Sequence, residues 1–198
     1  MDEFDWADFL NLYNQELLSD ENLRDQVPVE AFVAEWMGFA GATEEEISAA
    51  EARLETSLPP SYRSFLGISN GWLHPGPFIY DLWPATRIAW FAERNQGWID
   101  AYTEPYGKLP SLSDEGYFVY GEEQDSVKFR IEYLQTALRI SEEGDSAVYL
   151  NPQVVTPEGE WEAWFFANWA PGATRYRSFR EMMQAERESF LRLRKDPI

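Results

Sequence analysis

The sequence contains no cysteine. Disulfides, thiolate metal sites and cysteine nucleophiles are excluded together. Histidine is nearly absent: His74, in Leu73-His74-Pro75-Gly76-Pro77, is the only one. One imidazole cannot build a multi-histidine zinc site. A Ser–His–Asp triad needs only one, but no Gly-x-Ser-x-Gly elbow is present to carry the nucleophile. His74 is therefore read as a loop or surface residue. Neither Gly-x4-Gly-Lys-Ser/Thr nor Gly-x-Gly-x-x-Gly occurs, so nucleotide-dependent chemistry has no support. An Asp-x-Asp-x-Asp-Gly calcium loop is missing too. Ser141-Glu142-Glu143-Gly144-Asp145 is a looser acidic run and reads as a solvated turn. No stretch approaches the roughly 18 consecutive apolar residues that span a bilayer. The start, Met1-Asp2-Glu3-Phe4-Asp5, is acidic where a secretory signal is basic and then apolar. A soluble, cytoplasmic protein is expected.

Basic residues are scarce: 16 Lys and Arg stand against 35 Asp and Glu, a net charge of −19 over 198 residues. Neutralising phosphates takes Lys and Arg, so nucleic acid is not expected as a ligand, and neither is an anionic membrane. A cationic partner is, because complementary fields speed encounter. The charge is uneven. Residues 175–198 hold seven Arg/Lys and four Asp/Glu, a net of +3, so residues 1–174 carry −22.

What the chain has in quantity is apolar and aromatic side chains, 44% and 16% of it. That is enough for one packed core and too much for a disordered chain. Residues 4–18 show helical spacing through Phe4, Phe9, Leu10, Tyr13, Leu17 and Leu18. A second helix is expected from Pro28 to Met37, with Val29, Phe32, Val33 and Trp36 on one face. Thr43-Glu44-Glu45-Glu46 reads as a capping box: the Thr43 hydroxyl accepts from the N–H three residues on, and Glu46 reaches back. Ile47, Ala50 and Leu54 then form the buried stripe of a helix over 44–55. Leu58-Pro59-Pro60 separates it from a second helix carrying Tyr62, Phe65 and Leu66, which Asn70-Gly71 stops.

Prolines 75, 77 and 84 rule out long helices immediately beyond. Residues 78–83 suit a strand. Residues 86–96 are expected as a short helix and 104–114 as a loop. Strands are expected over 117–120, 128–131, 147–150 and 161–166, the last two joined in a hairpin at Gly159. Residues 134–140 fit either a strand or a short helix. A last helix over 178–195 buries Phe179, Met182, Met183, Phe190 and Leu193. The pattern is α+β, a largely antiparallel sheet flanked by N-terminal helices and a C-terminal helix.

Several of these stretches resemble the SUKH superfamily, the Smi/Knr-type domains of bacterial toxin-immunity proteins and fungal cell-wall regulators. They are Gly41-Ala42-Thr43-Glu44-Glu45-Glu46-Ile47 with Ala50, Glu51 and Leu54; Leu58-Pro59-Pro60-Ser61-Tyr62-Arg63-Ser64-Phe65-Leu66 with Ser69-Asn70-Gly71-Trp72; Ala147-Val148-Tyr149-Leu150-Asn151-Pro152; and Trp161-Glu162-Ala163-Trp164 with Tyr176, Ser178 and Phe179. The resemblance spans roughly residues 36–185. It implies a SUKH-like domain over 36–198, preceded by an N-terminal helical extension over 1–35. It also implies no required cofactor and binding rather than catalysis. The matched residues read as structural. The partner so implied is a cognate protein toxin with a basic surface, nuclease toxins being prominent, occluded at its active site by an acidic inhibitor. A regulatory scaffold, or a hydrolase built on a carboxylate pair, is the alternative.

The candidate partner-binding residues are Trp72, Asp81, Trp83, Trp98, Asp100, Glu104, Asp114, Glu115, Glu122, Glu123 and Asp125. The three tryptophans, out of nine, are chosen as anchors because Trp is frequent at interface hot spots. The acids are chosen because Gly121-Glu122-Glu123-Gln124-Asp125 reads as a hairpin tip beside aromatics. Asp2, Glu3, Asp5 and Asp8 are an alternative acidic set.

Overall fold

The computed structural model describes residues 4–106, 111–142, 146–167 and 169–195. The chain forms two compact units, Met1–Arg87 with Met183–Ile198, and Ile88–Met182.

In the first unit, α1 (Trp6–Leu18) is capped by Asp5, whose side chain accepts from Asp8 N. It buries Trp6, Leu10, Tyr13 and Leu17, a single stripe at helical spacing. Trp6 meets Phe65 edge-on at 5.6 Å and Tyr13 meets Phe190 at 5.9 Å. The Asn14 side chain donates to Glu35 O and accepts from Met37 N, both at 2.9 Å. The N-terminal helix is thus tied by hydrogen bonds and packing into its unit. The next helix, α2 (Val29–Val33), is only five residues long. Of the expected apolar face, Val29 and Val33 are 66% and 80% exposed while Phe32 and Trp36 are half-buried, so it is buried only in part; Ala31 is the buried residue of the helix.

The helix pair follows its sequence signals. Both arms of the capping box form on α3 (Glu44–Leu54), with Glu46 N to the Thr43 hydroxyl at 3.2 Å and Thr43 N to the Glu46 carboxylate at 2.8 Å. Ile47, Ala50 and Leu54 are buried. The α4 helix (Pro60–Ile68) starts on Pro60, where a missing N–H costs nothing. Glu51 joins the two by accepting from Leu58 N and from Arg63, which also reaches Glu44. Asn70-Gly71 does more than stop the helix. The Asn70 Oδ1 accepts from Ala85 N at 2.7 Å. Gly71 has φ +111°, and a Cβ there would stand 2.8 Å from Leu82 O, so only glycine fits.

Strands β1 (Trp72–Gly76) and β2 (Ile79–Leu82) pair antiparallel, Trp72 opposite Leu82. Pro75 lies within β1, and the register shifts between Leu73 and Gly76. There His74 adopts φ +50°. It is buried, a correction to its reading as a loop or surface residue.

The second unit holds a five-stranded antiparallel sheet in the order β3 (Ala89–Trp90), β4 (Leu138–Arg139), β5 (Ser146–Val155), β6 (Trp161–Ala167), β7 (Ala173–Tyr176). The β5–β6 hairpin turns at Gly159, as expected. Its core gathers Phe91, Ile99, Leu134, Tyr149, Trp164 and Ala173.

Three local expectations fail in this unit. The helix expected over 86–96 starts only at Ala92 and runs on as α5 (Ala92–Tyr106), because Ala89 and Trp90 are drawn into pairing with β4. The loop expected over 104–114 is therefore helical at its start; residues 107–110 lie outside the described residues. The strands expected over 117–120 and 128–131 do not form. Tyr117 ends a short helix, α6 (Asp114–Tyr117), and Phe129 plugs against Trp164 and Phe166 at 4.8 and 5.3 Å. Residues 121–123 make one 3-10 turn rather than a hairpin tip, and 131–136 a second. The final helix, α7 (Phe179–Lys195), buries Phe179, Met182, Met183 and Phe190, while Leu193 is only half-buried.

Candidate functional site

The densest polar constellation lies in the second unit, under the acidic turn. Glu162, on β6 between Trp161 and Ala163, is fully buried. An unpaired carboxylate there would cost several kcal/mol. Four donors meet it instead. Tyr117 OH (2.6 Å), Trp164 Nε1 (2.7 Å) and Asn151 Nδ2 (3.0 Å) donate to one oxygen, and Tyr120 OH (2.8 Å) to the other. The guanidinium of Arg175, on β7 and also fully buried, stands 3.6 Å from that second oxygen. It donates to Tyr117 O and Val119 O and lies 4.1 Å over the Tyr117 ring. Its Nε has no hydrogen-bond partner among the described residues. Burial, and then the Glu162 charge, push both tyrosine hydroxyls well above their ordinary pKa.

This network fastens residues 117–126 along the open edge of β7. Gln124 behaves as a surrogate strand residue: its Oε1 accepts from Arg175 N and its Nε2 donates to Arg175 O, both at 2.7 Å. Ala173 N donates to Ser126 O at 3.1 Å. Gly172, at φ +77°, lets the backbones touch; any Cβ there would overlap Ser126 O. The edge's free N–H and C=O groups are thereby used, which removes a template for unwanted pairing.

Above this clamp, residues 111–127 hold five carboxylates, Asp114, Glu115, Glu122, Glu123 and Asp125, and no Lys or Arg. All five are exposed. Asp114 is already engaged, paired at 2.5 Å with buried Arg130, which also donates to Leu112 O and Tyr133 OH. Asp125 caps Val127 N at 3.1 Å. Asp100 and Glu104 are exposed on α5, Asp100 accepting from Gln96 at 2.8 Å. The side chain of Trp98, on the same helix, lies outside what is described, as do Glu143, Gly144, Asp145, Asp2 and Glu3.

The other three candidates belong to the first unit. Trp72 is fully buried, stacked on Tyr13 and edge-on to Trp36, so it is a core residue and not a surface anchor. Trp83 is buried too, its ring covered by Arg87 at 4.2 Å. Asp81 is half-buried, 4.0 Å from Arg87. Exposed apolar residues of this unit that the sequence reading did not select are Phe118 at 45% and Val127 at 62%, on the acidic segment itself, and Trp169 at the β6–β7 turn. The run Trp169-Ala170-Pro171-Gly172 carried a usable signal, since a tryptophan beside Pro-Gly sits in a turn.

The chain belongs to the SMI1 / KNR4 family (SUKH-1). The family model matches residues 41–185, from the glycine that opens the capping-box segment to the first turns of α7. No curated protein matches the chain. The matched span includes the helix pair and the strands β5, β6 and β7, with Glu162 and Arg175 on the last two. Glu162 has no exposed surface and its oxygens are taken. A shallow groove of about 360 Å3 on the first unit, lined by Phe39, Ala40, Gly41, Glu46, Asn70 and Pro84, offers one carboxylate, and that one is committed to Thr43 N. Among the described residues no group of three or more His, Asp or Glu is placed to hold a metal, and no helix is long and apolar enough to cross a membrane.

Proposed function

We propose that this chain is an immunity protein: a non-enzymatic binder that neutralises a cognate toxin domain with a basic, nuclease-type surface by occluding its active site. Family membership supports the binding role. The observation that carries the choice of partner is charge. Residues 1–174 hold −22, and in the second unit exposed carboxylates stand on a turn held by buried bonds rather than on a loose loop. A pre-formed acidic surface meets Lys and Arg without an ordering cost at binding. Nucleic acid and membranes are not its partners on the same grounds.

The test is titration calorimetry against the protein encoded by the neighbouring gene, with its toxicity measured in parallel. Nanomolar one-to-one binding with loss of activity is expected, and an on-rate that falls from low to high salt. No binding to a folded, active toxin domain would end this reading in favour of a regulatory scaffold. Binding with a salt-independent on-rate would remove the electrostatic part.

A further inference from the structure

Resting on the immunity reading, we propose that the toxin docks on the turn 118–127, with Phe118 and Val127 as the apolar centre and Glu122, Glu123 and Asp125 as the acidic rim, and that the face it presents is a Lys/Arg-rich protein surface. Three observations converge on this segment. Phe118 and Val127 remain 45% and 62% exposed although Tyr117 and Phe129 on either side of them pack inward. Exposed apolar residues on the same turn as unpaired carboxylates match the make-up of a protein interface, in which apolar side chains are ringed by a polar rim. The carboxylates of Glu122 and Glu123 have no Lys or Arg partner among the described ion pairs, unlike Asp114, which Arg130 neutralises. The backbone beneath them is fixed at both ends: Tyr120 to Glu162, Gln124 to both polar groups of Arg175, Ser126 to Ala173. Like charges held together on a fixed turn repel one another, and a cationic partner relieves that repulsion. An anionic partner such as RNA would increase it.

The experiment uses the full chain and the toxin domain that calorimetry identifies as its partner. The rim variant E122K/E123K/D125K is compared with E21K/D25K/E30K, which reverses three exposed acids of the first unit and so changes net charge equally. Phe118→Ala removes one centre residue without altering charge. Each variant is first checked for the native denaturation midpoint, and hydrogen exchange on the complex locates the footprint. The rim variant is expected to weaken binding at least tenfold more than the control triple, Phe118→Ala about tenfold, and exchange to slow over 118–127. Equal losses from both triples, or no loss from the rim variant, would overturn the docking face while leaving the immunity reading intact. If calorimetry finds no partner, both fall together.

Discussion

Glu162→Gln changes one atom and should be among the most damaging substitutions in the chain. The carboxylate only accepts, and every group around it only donates or can donate. A glutamine must turn its NH2 to one side or the other. Turned toward the first oxygen's position, it meets the indole N–H of Trp164, a donor with no alternative. Turned toward the second, it meets the guanidinium of Arg175. Tyrosine hydroxyls can rotate to accept, but these two groups cannot. In either arrangement Arg175 loses its counter-charge inside the protein. Breaking a buried pair by removing one partner costs about 3–5 kcal/mol. For a chain of this length that lowers Tm by roughly 6–20 °C. Arg175→Met should cost a similar amount, since Tyr117 O and Val119 O lose their donor as well. The double variant should cost much less than the sum, because with the cation gone the amide no longer faces an unpaired charge. Urea denaturation of the four proteins measures this. A loss below about 1 kcal/mol for Glu162→Gln, or simple additivity of the pair, would refute the reasoning.

Other outcomes follow from the same structure. Tyr13, Tyr62, Tyr117 and Tyr120 all have their hydroxyl pKa raised by burial. The folded state therefore holds their protons above pH 10 while the unfolded chain releases them. Stability should be intact below about pH 10 and fall above it, and at 295 nm these four of ten tyrosines should ionise only as the protein unfolds. Burial lowers the His74 pKa below its ordinary 6.5, so its contribution is present above pH 6.5 and fades as pH falls. The sole imidazole should titrate below 6.5 by proton NMR, and His74→Asn, which tolerates φ +50°, should flatten that acid limb of the stability curve. Thr43→Ala removes one arm of the capping box and should cost about 1 kcal/mol by chemical denaturation. Gly172→Ala should both strain a positive-φ site and push Ser126 from the β7 edge, visible as faster hydrogen exchange at Ala173.

The helix pair was legible because its signals are local. A capping box, a helical stripe, a proline start and an Asn-Gly exit act within a few residues, and each sits where the sequence placed it. The β5–β6 hairpin was legible for the same reason. The segment 117–131 was not. Tyr117-Phe118-Val119-Tyr120 has strand composition, but β propensity expresses packing on a sheet face. Here Tyr117 and Tyr120 are used instead to hydrogen-bond a carboxylate more than forty residues away. Trp72 and Trp83 misled because a tryptophan's size serves a core as readily as an interface. Glu162 left a trace, a lone acid in the run Trp161-Glu162-Ala163-Trp164-Phe165-Phe166. On a strand buried on both faces, such an acid requires a partner.

That partner also changes how the charge map is read. In the sequence Arg175 counts toward a basic tail of net +3. In the structure it is spent internally on Glu162, and Arg187 likewise on Glu16 at 2.7 Å. With Arg177 on Glu181 at 3.1 Å, at least three of the seven tail cations are thus neutralised within the fold, and so are the three acids they face. Among the described residues the carboxylates of 115–125 have no Lys or Arg partner. A buried ion pair is weak evidence for stability, because well-packed apolar residues could replace it at little or no loss. Its placement is more informative: one member sits on β6, the other on β7, and both hold the single segment that covers the sheet's open edge. An apolar contact is indifferent to register, whereas six directional bonds to Tyr117, Val119, Tyr120 and Gln124 allow one arrangement. The pair thus contributes position more than energy. It fixes which carboxylates face outward, as the docking face proposed above requires.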